Sequence, residues 1–269
     1  MRIAVTPNPS LSSIPDFFAN ATKLLRGNQE QNMTNIHPFF GKLVSLLNEK
    51  RKNDRYLASD FNVFDYIQPD ELKLSRIIAD LFDPKGSHGQ QRICLEAFVE
   101  AMIERTSEEQ PLRKTLTKLQ KAVRDDECFV IARTEVATRH GRRMDIVVNI
   151  GGKNGIVIEN KPWANDQKDA LGDYADEAAR RFSNCWVLIY LHGTGKAADE
   201  YTISKKKLQK LEVDGNFFNT DYTYFLIRWL KICLERVEAE KIRCFLRDFI
   251  DYIEQEFRNG FFNEEISDA

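Results

Sequence analysis

Arg142–Tyr174 reads RRMDIVVNIGGKNGIVIENKPWANDQKDALGDY. Two apolar β-branched runs, MDIVVNI and GIVIEN, flank GGKNG, a strong hairpin signal. Asp145 is the acidic residue within the first run, Glu159 closes the second, and Lys161 follows two positions later. A period of two puts Glu159 and Lys161 on the same side of a strand. Unpaired burial of a carboxylate is costly, so Asp145 and Glu159 must find donors or a cation. Two carboxylates on adjacent strands, with a backbone carbonyl, can share a hard cation. Lys161 would then stand beside that cation, placed to orient an attacking water and to steady charge on a phosphate. The same three charges also read as an edge-strand salt bridge.

The chain around this stretch changes period. Residues 1–35 are rich in Pro, Ser and Asn and read as an arm, with a short helix possible at Asp16–Arg26. A helix over 37–55 places Phe40, Leu43, Leu46 and Leu47 on one face. A second, at 70–83, turns Leu74, Ile77, Ile78 and Leu81 inward and carries Asp70 and Glu71 in its first turn, where carboxylates suit the helix dipole. Helices over 89–105 and 109–124 follow. Strands are expected in ECFVIARTEVA (127–137), RRMDIVVNI (142–150) and GIVIENK (155–161), with turns at Thr138–Gly141 and Gly151–Gly155. A helix at about 166–182 leads to CWVLIYL (185–191), apolar nearly throughout and therefore a central strand. Tyr222–Val237 and Glu240–Phe257 are again helical. This order predicts a single α/β domain at 36–258, wrapped by helices, and a tail at 259–269.

Bulk properties set limits. The 269 residues are 42% hydrophobic and 30% charged, an ordinary globular composition that argues against extensive disorder. A net charge of −2 leaves nucleic-acid binding to a local basic patch, either Arg139, Arg142 and Arg143 or Lys205, Lys206, Lys207 and Lys210. Each cluster also reads as solvated surface. Five widely spaced cysteines without a CxxC pair are expected to be reduced thiols, and the four histidines have no zinc spacing. HGTGKA at 192–197 fails as a phosphate loop, because the motif's first Gly would fall at Tyr190 and its Ser/Thr at Ala197. With no leader-like apolar core and no long apolar run, a cytoplasmic protein without membrane spans is expected.

RRMDIVV followed by IVIENK, in an αβββαβ order, resembles the PD-(D/E)XK nuclease superfamily. One branch of it pairs this core with an upstream ELxxSxxxAxLxDPxGxHG segment. The counterpart here runs from Glu71 through Ser75, Ala79, Leu81, Asp83, Pro84, Gly86 and His88 to Gly89. YFLIRWLKICLE and CFLRDFIDYI carry the likeness on, so that it spans about 37–257. The resemblance implies a restriction-endonuclease-like core with a mixed sheet and a metal-dependent deoxyribonuclease, in phage defence, restriction or repair. It implies Asp145, Glu159 and the Asn160 carbonyl as ligands of Mg²⁺ (or Mn²⁺), Lys161 as the catalytic lysine, and Glu71 as a helix glutamate reaching the same site. Glu71 also reads as a dipole partner alone. Glu135 competes for its acidic role, or pairs with Arg142 or Arg143. His88 reads as a loop cap, or as a phosphate grip. Related nucleases carry QLxxY on the next helix; here Leu171 and Tyr174 remain, Ala170 replaces the Gln, and Gln167 could substitute one turn earlier. DNA is the implied partner, with a protein partner or second copy also open. The alternative function is a non-catalytic nucleic-acid-binding or assembly subunit that keeps the fold.

Overall fold

The computed structural model describes residues 29–58, 60–163 and 167–258. The expected helix at Asp16–Arg26 and the 259–269 tail lie outside the described residues. The chain divides into two compact units, residues 1–61 and 62–269. The first contains helix α1 (Gln29–Leu57), which begins earlier than the expected 37 and takes in residues assigned to the arm. Lys50 pairs with Asp60 at 2.7 Å beyond its C-terminal end.

The second unit opens with a short helix, α2 (Val63–Ile67), capped by the Asn62 side chain, which accepts from the Phe64 N–H. Helix α3 (Glu71–Phe82) is capped by Asp70, whose carboxylate accepts from Lys73 N at 2.8 Å. Its buried face includes Leu74, Ser75, Ile78 and Leu81, while Ile77 is only half-buried. Helix α4 (Ile93–Glu104) and helix α5 (Pro111–Arg124) follow, the second starting on a proline at its first position, where the missing N–H costs nothing.

Strands β1 (Val130–Ala137), β2 (Arg143–Ile150) and β3 (Asn154–Lys161) form an antiparallel meander. Helix α6 (Ala170–Arg181) crosses over to β4 (Cys185–His192), parallel to β3. Helix α7 (Lys205–Asp214) then leads to β5 (Phe217–Asp221), parallel to β4. The sheet is therefore mixed, with order β1-β2-β3-β4-β5. A π-helical turn at Tyr222–Leu226 runs into α8 (Ile227–Arg236), and α9 (Glu240–Ile253) closes with a second π-helical turn, Glu254–Arg258.

Both faces of the sheet are covered, which is why β3 and β4 are apolar through most of their length. Ile146, Ile156, Ile158 and Ile189 pack with the larger core formed by α3, α4, α8 and α9. Val147, Val157, Leu188 and Tyr190 pack with α6 and α7. Alternation along β3 thus sends Asn160 toward the larger core and Glu159 and Lys161 toward the other face. The expected αβββαβ order is present. The sequence reading missed α7 and β5, and α6 begins at Ala170 rather than 166 because Asp169 sits in a left-handed conformation (φ 56°) that no helix continues.

Candidate active site

The site forms where the sheet comes apart. The β2–β3 ladder ends at Ile146↔Ile158, one step short of Asp145 and Glu159. On the other edge of β2 the pairing passes from Thr134↔Ile146 to Val136↔Met144, and Glu135 between them has a left-handed φ of 55°. Beyond Ile158, β3 stays paired with β4 as far as Lys161↔His192. The splayed edge would leave a backbone donor without a strand partner, and Asp145 supplies one: its Oδ2 accepts from Asn160 N at 2.7 Å.

Lys161 is the hub. Its ammonium donates to Glu71 Oε1 at 2.9 Å and lies 3.2 Å from Glu159 Oε1 and 3.9 Å from Asp145 Oδ2. Three carboxylates from α3, β2 and β3 thus converge on one buried cation. Lys161 and Glu159 are nearly inaccessible, while the Glu71 side chain is 34% exposed. Glu159 Oε2 is buried with no hydrogen-bond partner.

Asn160, on the opposite face of β3, anchors this arrangement. Its Nδ2 donates to Ser75 Oγ at 2.9 Å, and its Oδ1 accepts from the Tyr222 hydroxyl at 2.6 Å. Helix α3, strand β3 and the π-helical turn are therefore pinned together directly behind the charged cluster. On the other side, the buried Tyr174 of α6 donates its hydroxyl to the Arg143 carbonyl at 2.6 Å, bracing the start of β2.

Burial and crowding set the protonation states. Burial raises the Asp145 carboxyl to about 6, against the opposing Lys161 charge and the Asn160 N–H bond. Burial, reinforced by the Asp145 charge, pushes Glu159 well above the ordinary carboxylate range. For Lys161, burial works to lower the value, but the Glu159 and Asp145 charges and the Glu71 hydrogen bond outweigh it and hold the ammonium above its usual range. One lysine does not neutralise this acidic pair.

A divalent cation suits these donors. Asp145, Glu159 and the Asn160 carbonyl offer only hard oxygen, and the orphaned Glu159 Oε2 is a ligand atom in want of a cation. Among the described residues no group of three or more His, Cys, Asp or Glu side chains could hold a metal ion. Two carboxylates are nonetheless enough for an ion that keeps waters and takes substrate phosphate oxygens, as Mg²⁺ does. The structure keeps Glu71 on the ammonium.

The other sequence candidates separate. Glu135 pairs with Arg143 at 3.2 Å. Both His88 ring nitrogens are used within its own loop: Nδ1 accepts from Gln90 N at 2.9 Å, and Nε2 lies 3.0 Å from the Asp83 carbonyl. Gln167 precedes α6 instead of lying on it, and its amide oxygen faces Arg142 Nη1 at 3.4 Å. Arg142 itself is held by Asp173 at 2.6 Å and the Lys168 carbonyl at 2.7 Å, whereas Arg143 is 67% exposed. In the second basic cluster, Lys205 pairs with Glu200, and Lys207 reaches the Gly172 carbonyl and Asp176. Ser75, marked in the sequence only as part of a motif, and Tyr222, marked there only as a helix start, are the residues that the fold adds to the site. All five cysteines are free thiols. No helix among the described residues is long and apolar enough to cross a membrane.

A family model of the PD-(D/E)XK nuclease superfamily matches residues 61–251, which include every strand and the whole charged cluster. Neither a curated protein nor a solved structure matches the chain. The mixed sheet with helices on both faces agrees with that family's restriction-endonuclease-like architecture. The chain belongs to the PD-(D/E)XK nuclease superfamily.

Proposed function

We propose that this chain is a Mg²⁺-dependent deoxyribonuclease, also served by Mn²⁺, in which Asp145, Glu159 and the Asn160 carbonyl hold the ion and Lys161 is the catalytic lysine. The observation that carries the reading is the Lys161 ammonium within 4 Å of three carboxylates while a buried oxygen of Glu159 has no partner. When bound, the ion would polarise the phosphoryl oxygen and lower the pKa of a water.

The chain's own residues do the rest. Lys161 stays protonated at neutral pH because its carboxylate neighbours hold it so. It can therefore donate a hydrogen bond to the attacking water or to the oxygen on which charge develops, the kind of preorganised donor that stabilises a transition state. Glu71 fixes the ammonium, and Ser75 and Tyr222 fix Asn160 so that its carbonyl keeps its direction. Arg143, exposed two residues before Asp145, is the side chain assigned in this reading to the phosphate backbone, its exposure being what supports the assignment. DNA is preferred to RNA on the family likeness, and restriction, repair or phage defence are the settings that likeness brings.

Wild type and Lys161→Ala are to be incubated with linear, circular and single-stranded DNA and with RNA, each in Mg²⁺, Mn²⁺ and EDTA. Cleavage of DNA that needs the metal and falls at least about a hundredfold in the variant is the expected result. Equal cleavage by both proteins, or none by either with DNA binding retained, would overturn it, the second outcome in favour of a binding subunit.

A further inference from the structure

Immediately past Lys161 the chain passes through Pro162 to Trp163, which walls a cavity of about 470 Å³. Its other walls come from α2, the Gln68–Pro69 link, the end of α9 and the π-helical turn that follows it. Trp163 is half exposed, yet its ring is not loose. It stacks on Phe257 with centroids 5.5 Å apart and planes 23° from parallel, and its Nε1 donates to Glu256 Oε1 at 3.1 Å. Phe257 in turn packs on Tyr222, the residue that holds Asn160. On the far wall Phe64 and Tyr252 stack with centroids 5.3 Å apart. Tyr252 is 8% exposed, lines the cavity, and its hydroxyl has no hydrogen-bond partner among the described residues.

The polar rim narrows the choice of ligand. Asp65 and Glu256 contribute carboxylates, Gln68 and Gln255 contribute amides, and among the described residues no Lys, Arg or His lines the cavity. A phosphate would be repelled here. A flat ring bearing N–H donors meets aromatic walls on its faces and acceptors at its edge, and the volume lies in the range of small-molecule sites.

We propose that this cavity is a nucleobase subsite that takes a base carrying an exocyclic amine, swung out from the strand beside the scissile phosphate. Trp163 stacks the base, and Asp65 or Glu256 accepts from its amine, as carboxylates do from cytosine N4. Two chain steps separate Trp163 from Lys161, so their Cα atoms lie at most about 7.6 Å apart, and the proposal assigns the subsite to a nucleotide near the cut. The proposal rests on the nuclease reading for its substrate but not for its recognition chemistry.

The test is binding of fluorescently labelled oligo-dC, oligo-dA and oligo-dT in EDTA, where no metal-dependent cleavage competes, to wild type, Trp163→Ala, Trp163→Phe and Asp65→Asn/Glu256→Gln. Wild type is expected to prefer dC and dA to dT. Trp163→Ala is expected to weaken binding about tenfold, with Trp163→Phe recovering part of it. The double substitution should erase the preference while leaving dT binding in place. Equal affinity of wild type for all three oligomers, or an unchanged preference in the double variant, overturns the proposal. So does quenching of Trp163 by N-acetyl-arginine amide but not by deoxycytidine, which would assign the cavity to a cationic peptide. Cleavage by Lys161→Ala is scored separately. A base preference that depends on Trp163 in a chain whose cleavage ignores Lys161 sinks the nuclease reading alone, and the reverse pattern sinks the subsite alone.

Discussion

Asn160 ties together residues 75, 160 and 222, which only the fold brings into contact. Its side chain is completely buried, and replacing Tyr222 by Phe removes the donor to its Oδ1 while keeping the ring. An unsatisfied buried acceptor costs about 1–3 kcal/mol. Tyr222→Phe is therefore expected to lower thermal stability by that amount and, if the Asn160 carbonyl is a metal ligand as proposed, to reduce kcat more than KM. An unchanged kcat with a lowered melting temperature would make the contact purely structural. Asp145, Glu159 and Lys161 were legible in the sequence because acidic groups stand out in apolar strands and a spacing of two fixes their side. Ser75 and Tyr222 were not, because a serine on a helix and a tyrosine after a strand have many uses. Gln167 was misplaced for a local reason: the left-handed Asp169 delays α6 and turns Gln167 toward Arg142.

Among elements, β3 is the one whose position decides the site, and Gly155 shows how closely it is packed. A Cβ at Gly155 would overlap the Phe182 ring at the end of α6. Gly155→Ala is expected to cost about 1–3 kcal/mol through overpacking, read as a fall in melting temperature, and Gly155→Ala combined with Phe182→Leu should recover part of it. Helix α6 is also tied by charge. Glu177 is held down to about 2 by hydrogen bonding to Arg180 and then Arg181, against its burial, and Arg181 also donates to the Ala137 carbonyl at the end of β1. A carboxylate held below its usual 4.5 contributes stability that is fully present above that value and lost as pH falls toward 2. Glu177→Gln should thus cost about 1–2 kcal/mol at pH 7, less than the full shift because Arg180 is partly solvated. The gap from wild type should close between pH 5 and 2; a gap constant with pH would contradict the ion-pair origin. The β-rich runs and the buried β4 were readable from period and composition. Strand β5, five residues with little alternation, and α7, a lysine-rich helix with Leu211 as its buried residue, gave too weak a pattern.

At the scale of the molecule, a net charge of −2 coexists with a family of enzymes that act on a polyanion. The proposed function would reconcile the two locally, through the exposed Arg143 two residues before Asp145 and through a divalent ion that would offset the acidic pair. The same sheet that splays at Asp145 and Glu159 is closed behind them by Asn160, and the half-exposed Glu71 is the member of the cluster that meets solvent. The central claim of the proposed function is that the acidic pair is a metal centre. The most direct measurement is Mn²⁺ binding, followed by electron paramagnetic resonance on wild type, Glu159→Gln, Asp145→Asn and Lys161→Ala without DNA. The expected result is saturable binding to wild type and to Lys161→Ala, weakened at least about tenfold by either carboxylate substitution. Binding that is equally tight in Glu159→Gln and Asp145→Asn, or no saturable binding to wild type at all, would contradict the assignment of the site.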